Sequence, residues 1–224
     1  MSANAELLNP KDHAGLRFRD WPEHGPHFVQ IVAAEFAAAG ATCPILLTKD
    51  GATGRFYAGA MFGFEPGEYL LAPGAAAFRP LDLERQGFFI SGENIAIDPD
   101  HPRFSRTEGE PLFDAAGEPG DKLRLIQRVL GRLKTGVDET DAFIETLLKH
   151  RLIEPIDIEL AFDDGKNLNL TGLYTVSLDA LQELEDAVVL DLFRSGRLQL
   201  AYCMIQSLKQ VPVLARRRNE RLAA

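Results

Sequence analysis

The sequence predicts an α+β fold, from three observations. The first half carries short apolar runs separated by turn residues, the second half carries apolar residues at helical spacing, and one segment alternates strictly between apolar and charged. Antiparallel strands are therefore expected in the N-terminal half and in a central hairpin, with helices packed on them in the C-terminal half.

In chain order, Phe28 to Val32 is a short apolar run, and Ala33 to Ala39 is rich in helix formers. Gly40 is expected to stop that helix by taking the left-handed conformation. Pro44 to Thr48 reads as a buried strand, Asp50-Gly51 as a turn, and Phe56 to Phe62 as the returning strand. Tyr69 to Leu71, Gly87 to Ile90 and Ile95 to Ile97 are further short strand candidates. From about Pro99 to Asp121 the chain is rich in Pro, Gly and charge and reads as a surface connection. It divides the chain into a strand-rich part, 1–110, and a helix-rich part, 111–224, expected to form one compact body.

Leu123, Ile126, Val129, Leu130 and Leu133 share one face of a helix from about Asp121 to Lys134. Gly136 is expected to interrupt it before a second helix carrying Phe143, Ile144, Leu147 and Leu148. The segment from Ile156 to Phe162 then has the two-residue period of a strand with one wet face. Asp164-Gly165 supplies a tight hairpin turn, and Leu168 and Leu170 resume the alternation. Ser177 is placed to cap a helix whose inner face holds Leu181, Leu184, Val188 and Leu192. Ser195-Gly196 breaks it. A last helix carries Leu198, Tyr202, Ile205 and Leu208, and Pro212 kinks or ends it.

Composition narrows the function classes. The 224 residues carry 24 Lys and Arg against 33 Asp and Glu, a net charge of −9. An acidic chain is poorly suited to neutralising phosphates, so no nucleic-acid partner is expected. The most apolar window, Ile31 to Leu47, is broken by Glu35, Gly40 and Pro44, so no membrane insertion is expected. Met1 to Glu6 lacks a basic stretch followed by an apolar one, and a cytoplasmic location is expected. Cys43 and Cys203 are far apart and read as buried, reduced thiols.

The chain holds no GxGxxG, GxxxxGK[ST], GxSxG, HxD or HExxH pattern, and no cofactor is expected. The densest group of metal-ligand types is Asp98, Asp100 and His101. It could hold a divalent cation, or His101 could serve as a general base, against the alternative of a capped Pro-rich turn. His24 and His27 lie three apart around Pro26 and read as a chance pair. Glu35 sits in an apolar stretch and needs a partner such as Arg79 or Arg85, because a lone buried carboxylate is costly. The terminal Arg216, Arg217, Arg218 and Arg221 read as a solvated helix end.

Several phrases in order carry a resemblance. They are Ala33-Ala34-Glu35-Phe36 with Pro44-Ile45, Ile97-Asp98, Leu112-Phe113-Asp114 with Gly117-Glu118-Pro119, and Leu152-Ile153-Glu154-Pro155. Gly172-Leu173-Tyr174-Thr175-Val176, Gly196-Arg197-Leu198 and Ser207-Leu208 complete the set. Together, from Leu8 to Leu214, the chain resembles the bacterial SapC family. One departure is local: where the family has two arginines followed by aromatic-Pro-Phe, Glu84-Arg85-Gln86-Gly87-Phe88-Phe89 keeps one arginine and no proline. The resemblance implies no reaction, cofactor or catalytic residue. It implies an accessory role, since such proteins are often encoded beside TonB-dependent receptors, tryptophan-halogenase-like flavoproteins and cupin-like proteins. The expectation is therefore a non-catalytic accessory protein with a protein partner, a small ligand or a second copy of itself. The alternative is an enzyme, metal-dependent or not, with Glu35, Arg79, Asp98 and His101 gathered between the two parts.

Overall fold

A computed structural model describes residues 4–20, 25–71 and 78–223. The chain opens with strand β1 (Glu6–Leu7), helix α1 (Pro10–His13) and strands β2 (Arg17–Phe18) and β3 (Phe28–Gln30). A 3₁₀ turn (Ala33–Glu35) leads into α2 (Phe36–Gly40), β4 (Ile45–Lys49) and β5 (Phe56–Met61). Next come α3 (Leu81–Glu84), β6 (Phe88–Ser91), β7 (Asn94–Ile97), β8 (Phe104–Ser105) and β9 (Glu110–Pro111). The long α4 (Asp121–Lys149) precedes the hairpin of β10 (Ile153–Ala161) and β11 (Asn167–Val176). Four helices follow: α5 (Leu178–Gln182), α6 (Asp186–Arg194), α7 (Arg197–Ser207) and α8 (Gln210–Leu222). The fold is α+β, with antiparallel sheets and the helices concentrated in the C-terminal half.

The chain forms two compact units, each built from two segments: Met1–Glu23 with Arg79–Thr135, and His24–Phe78 with Gly136–Ala224. The first unit holds two three-stranded sheets, β1-β7-β6 and β8-β2-β9. Its core gathers Leu16, Phe18, Phe88, Ile97, Phe104 and Leu112 around Leu123, Ile126 and Leu130 of α4. The rings of Phe18, Phe88 and Phe104 lie 4.9, 5.3 and 5.1 Å apart, at the tilted and edge-on angles aromatic quadrupoles favour.

The second unit holds a five-stranded sheet in the order β10-β11-β4-β5-β3. Ile45, Leu46 and Leu47 of β4 are all buried, so this strand is covered on both faces. Gly59 of β5 lies under the ring of Phe28, where a Cβ would sit 2.1 Å from the ring. The strand can therefore carry no side chain there.

Three local expectations are corrected by packing. Helix α4 runs unbroken through Gly136, whose missing Cβ makes room for Val32; an added Cβ would lie 2.7 Å from its Cγ2. Gly40 ends α2 without a positive φ, and its bareness admits the Cys203 carbonyl, 3.2 Å from where a Cβ would stand. Tyr69 to Leu71 is no strand: the carbonyls of Leu70 and Tyr69 accept from Arg217 and Arg221 side chains of α8. Segment 99–121 also departs from a surface connection. Its short strands β8 and β9 flank β2, and Phe104, Leu112 and Phe113 are buried. The helix expected after Ser177 is two helices, with the chain extended at Glu185 (φ −63°, ψ 143°) between them. Pro212 falls in the first turn of α8, where its missing N–H costs nothing.

Candidate functional site

Glu35 lies in the second unit at the end of the 3₁₀ turn, and it is 4% exposed. Its Oε2 accepts from the Val32 N–H at 3.0 Å, so the carboxylate caps its own turn. Beside it, the buried Thr140 hydroxyl accepts from the Ala33 N–H at 2.8 Å and donates to the Gly136 carbonyl at 2.6 Å. The Glu35 carboxylate and the Thr140 hydroxyl thus each serve backbone groups of this turn or of α4.

The remaining sequence candidates lie in the first unit. Asp98 accepts from the Asp100 N–H at 3.2 Å, and His101 Nδ1 accepts from the Arg103 N–H at 3.3 Å. Burial lowers the His101 pKa, Arg103 adds to that, and Asp98 partly opposes it. Arg79 faces Glu84 at 3.9 Å, while Arg85 grips Asp82 at 2.6 Å and donates to the Phe88 carbonyl. Among the described residues no group of three or more His, Cys, Asp or Glu side chains is placed to hold a metal ion. His24 lies outside the described residues.

A buried guanidinium near that turn was not foreseen. Arg103 donates to the carbonyls of Arg19, Leu83 and Glu84 and lies 4.0 Å over the Phe18 ring. Burial pushes its pKa down to about 10, so it remains charged at neutral pH. It ties β2, α3 and the segment before β8 together.

The first unit has a cleft of about 480 Å³ lined by Glu6, Asp12, His13, Pro99, Asp100, Ser105 and Arg106, among others. His13 is buried, with Nδ1 3.0 Å from the Asn9 carbonyl and Nε2 3.0 Å from Glu6 Oε1. Glu6 and His13 belong to a two-residue strand and a four-residue helix, elements too short to leave a periodic signal.

The second unit has a cleft of about 580 Å³ with walls from His27 and Phe28, Thr48, Tyr57 and Met61, and Asn169, Thr171 and Leu173, among others. It opens beside β11, which meets β4 at Tyr174 opposite Leu47. Thr48 Oγ1 donates to the Gly172 carbonyl at 3.1 Å, and Gly172 takes φ +75°. Phe28 and Tyr57 stand edge to face across 6.3 Å. Burial, helped by the Asp50 charge, raises the Tyr57 pKa, so its hydroxyl stays protonated. Among the described residues lining this cleft there is no Asp, Glu, Lys or Arg. The sequence showed these strands but not which of their side chains faced a concavity.

Of the terminal arginines, Arg216 and Arg221 are exposed as expected, whereas Arg218 is not solvated. Arg218 is buried, pairs with Glu65 at 2.8 Å and Glu68 at 3.5 Å, and lies 4.2 Å over the Phe162 ring. Lys166 at the hairpin tip also reaches Glu65, at 2.6 Å, and these two cations lower the Glu65 pKa. Cys43 is buried, its thiol pushed up to about 12 by desolvation, whereas Cys203 is only partly buried; both are free.

Among the described residues no helix is long and apolar enough to cross a membrane. Neither a curated protein nor a solved structure matches the chain. The model of one family does match, across residues 8–214. With nearly the whole chain covered, this protein belongs to the SapC family.

Proposed function

We propose that this chain is a non-catalytic accessory protein of bacterial uptake or tailoring systems, working in the cytoplasm by binding. The cleft of the second unit carries this reading: about 580 Å³, with no Asp, Glu, Lys or Arg among its described lining residues, an aromatic pair, His27, and the polar side chains of Thr48, Asn169 and Thr171. A mixed apolar and neutral polar lining suits an uncharged amphipathic group, from a small molecule or from a segment of a partner protein. The titratable side chains that sequence patterns single out are engaged in capping and ion pairs, which also favours binding over chemistry.

Metabolite and peptide pools from a bacterial lysate, passed over immobilised protein, test the proposal. A species held by the wild type is expected to be held at least about tenfold more weakly by Tyr57→Ala and by Asn169→Ala, a loss of about 1.4 kcal/mol. Equal retention by all three proteins defeats it.

The His13–Glu6 pair favours a second reading. An imidazole fixed between a carbonyl and a carboxylate in a cleft, with Asp100 on the wall, is an arrangement used for proton transfer. In that case His13→Gln abolishes turnover of a metabolite while the second unit's retention is unchanged.

A further inference from the structure

Helix α6 exposes an unusual face. Leu190 and Phe193 are 46% and 69% exposed, while Leu192 on the opposite side is 2% exposed and anchors the helix to its unit. At 3.6 residues per turn, Asp186, Leu190 and Arg194 form one outward row, with Phe193 beside it. Asp186 and Arg194 are both exposed, and among the described residues neither pairs with another side chain. The row therefore reads acid, apolar, base, with the apolar residue at its centre.

That order is complementary to its own reversal. When the row of one helix runs antiparallel to the same row of an identical helix, Leu190 meets Leu190, and Asp186 of each copy faces Arg194 of the other. A two-fold interface requires this kind of self-complementarity. Rows at four-residue spacing also lie parallel when two helices cross at about −50°, the commonest packing of helix pairs. We propose that the α6 face is the contact of a homodimer, and that its occupant is the antiparallel α6 of a second copy. The charge pattern favours that occupant over an uncharged apolar partner, since the reversed copy satisfies both unspent charges and the apolar partner neither.

Sedimentation equilibrium over a concentration series tests this. Wild type is expected to pass from monomer to dimer. Asp186→Arg places two cations opposite each other and Arg194→Asp two anions, and each variant alone is expected to dimerise at least about tenfold more weakly. Mixing these two variants restores both attractive pairs in a heterodimer, so an equimolar mixture regains the wild-type dissociation constant to within about threefold. Phe193→Asp, changed at an already exposed side chain, weakens the dimer without altering the circular dichroism spectrum. A wild type that stays monomeric throughout overturns the proposal. So does a dimer that the single charge reversals leave intact, or a mixture that fails to recover.

Discussion

Two buried hydroxyls do work that hydrophobic patterning cannot announce. Thr140 on α4 accepts from the Ala33 N–H, and Ser207 on α7 accepts from the Ile45 N–H at 2.8 Å while donating to the Met204 carbonyl. Each supplies a bond to a backbone donor that starts a turn or strand far away in sequence. Removing the oxygen and keeping the shape leaves a buried N–H without its partner. Thr140→Val and Ser207→Ala are each expected to lower the unfolding free energy by about 1–3 kcal/mol in urea titrations. Thr140→Ser, which keeps the oxygen, is expected to retain most of that stability. A loss from Thr140→Ser equal to that from Thr140→Val contradicts this role. At this scale the sequence pointed to Glu35 as a residue in need of a partner, but not to the Val32 N–H as one, because a capping carboxylate beside an apolar residue lacks the usual Ser or Thr signature.

Helix α4 separates what a glycine does from where it sits. Gly131 and Gly136 lie five positions apart in the same helix, yet a Cβ at Gly131 meets open space and one at Gly136 meets Val32. Gly131→Ala is expected to stabilise by about 1 kcal/mol, since only the helix propensity changes. Gly136→Ala is expected to destabilise by about 1–3 kcal/mol through overpacking. Thermal denaturation of the two variants checks the opposite signs, and shifts in the same direction refute the packing argument. The same contrast explains which elements were legible. β4 and β5 showed as apolar runs of five and six residues, and the β10–β11 hairpin showed its alternation over nine and ten. β1, β2, β8 and β9 span two residues each, too few for any period to register. The break expected at Gly136 failed because propensity was outweighed by Val32, a contact from a distant segment.

At the scale of the molecule, the ionisable groups predict how stability responds to acid. Burial lowers the pKa of His101 in the fold from an ordinary 6.5, while ion pairs and hydrogen bonds lower those of Asp20, Asp50 and Glu65. Each lowered group binds fewer protons folded than unfolded, so its contribution is complete above the unfolded pKa and is lost as pH falls. Tm is expected to hold between pH about 7 and 8, slip below about 6.5 as unfolded histidine takes up protons, and fall more steeply below about 4.5. His101→Gln is expected to remove its part of the first step and leave the second. A Tm that rises between pH about 7 and 5 contradicts these signs. The candidate site was the least legible level, because a cleft is made of side chains that share a concavity and not a stretch of chain. Asp98, Asp100 and His101 are close in sequence, but Asp98 and His101 each accept a nearby backbone N–H, and only Asp100 reaches the first unit's cleft.

The interleaving of the two units also orders events on the ribosome. Strands β3, β4 and β5 emerge before α4, yet their unit requires β10, β11 and the closing helices, whereas the other unit has all its segments once Thr135 is made. The unit that finishes its synthesis first is thus the one begun around an interruption, and meanwhile the apolar β4 waits for β11 with one edge unpaired. During that interval the nascent chain presents the surface that holdase chaperones grip and that drives aggregation.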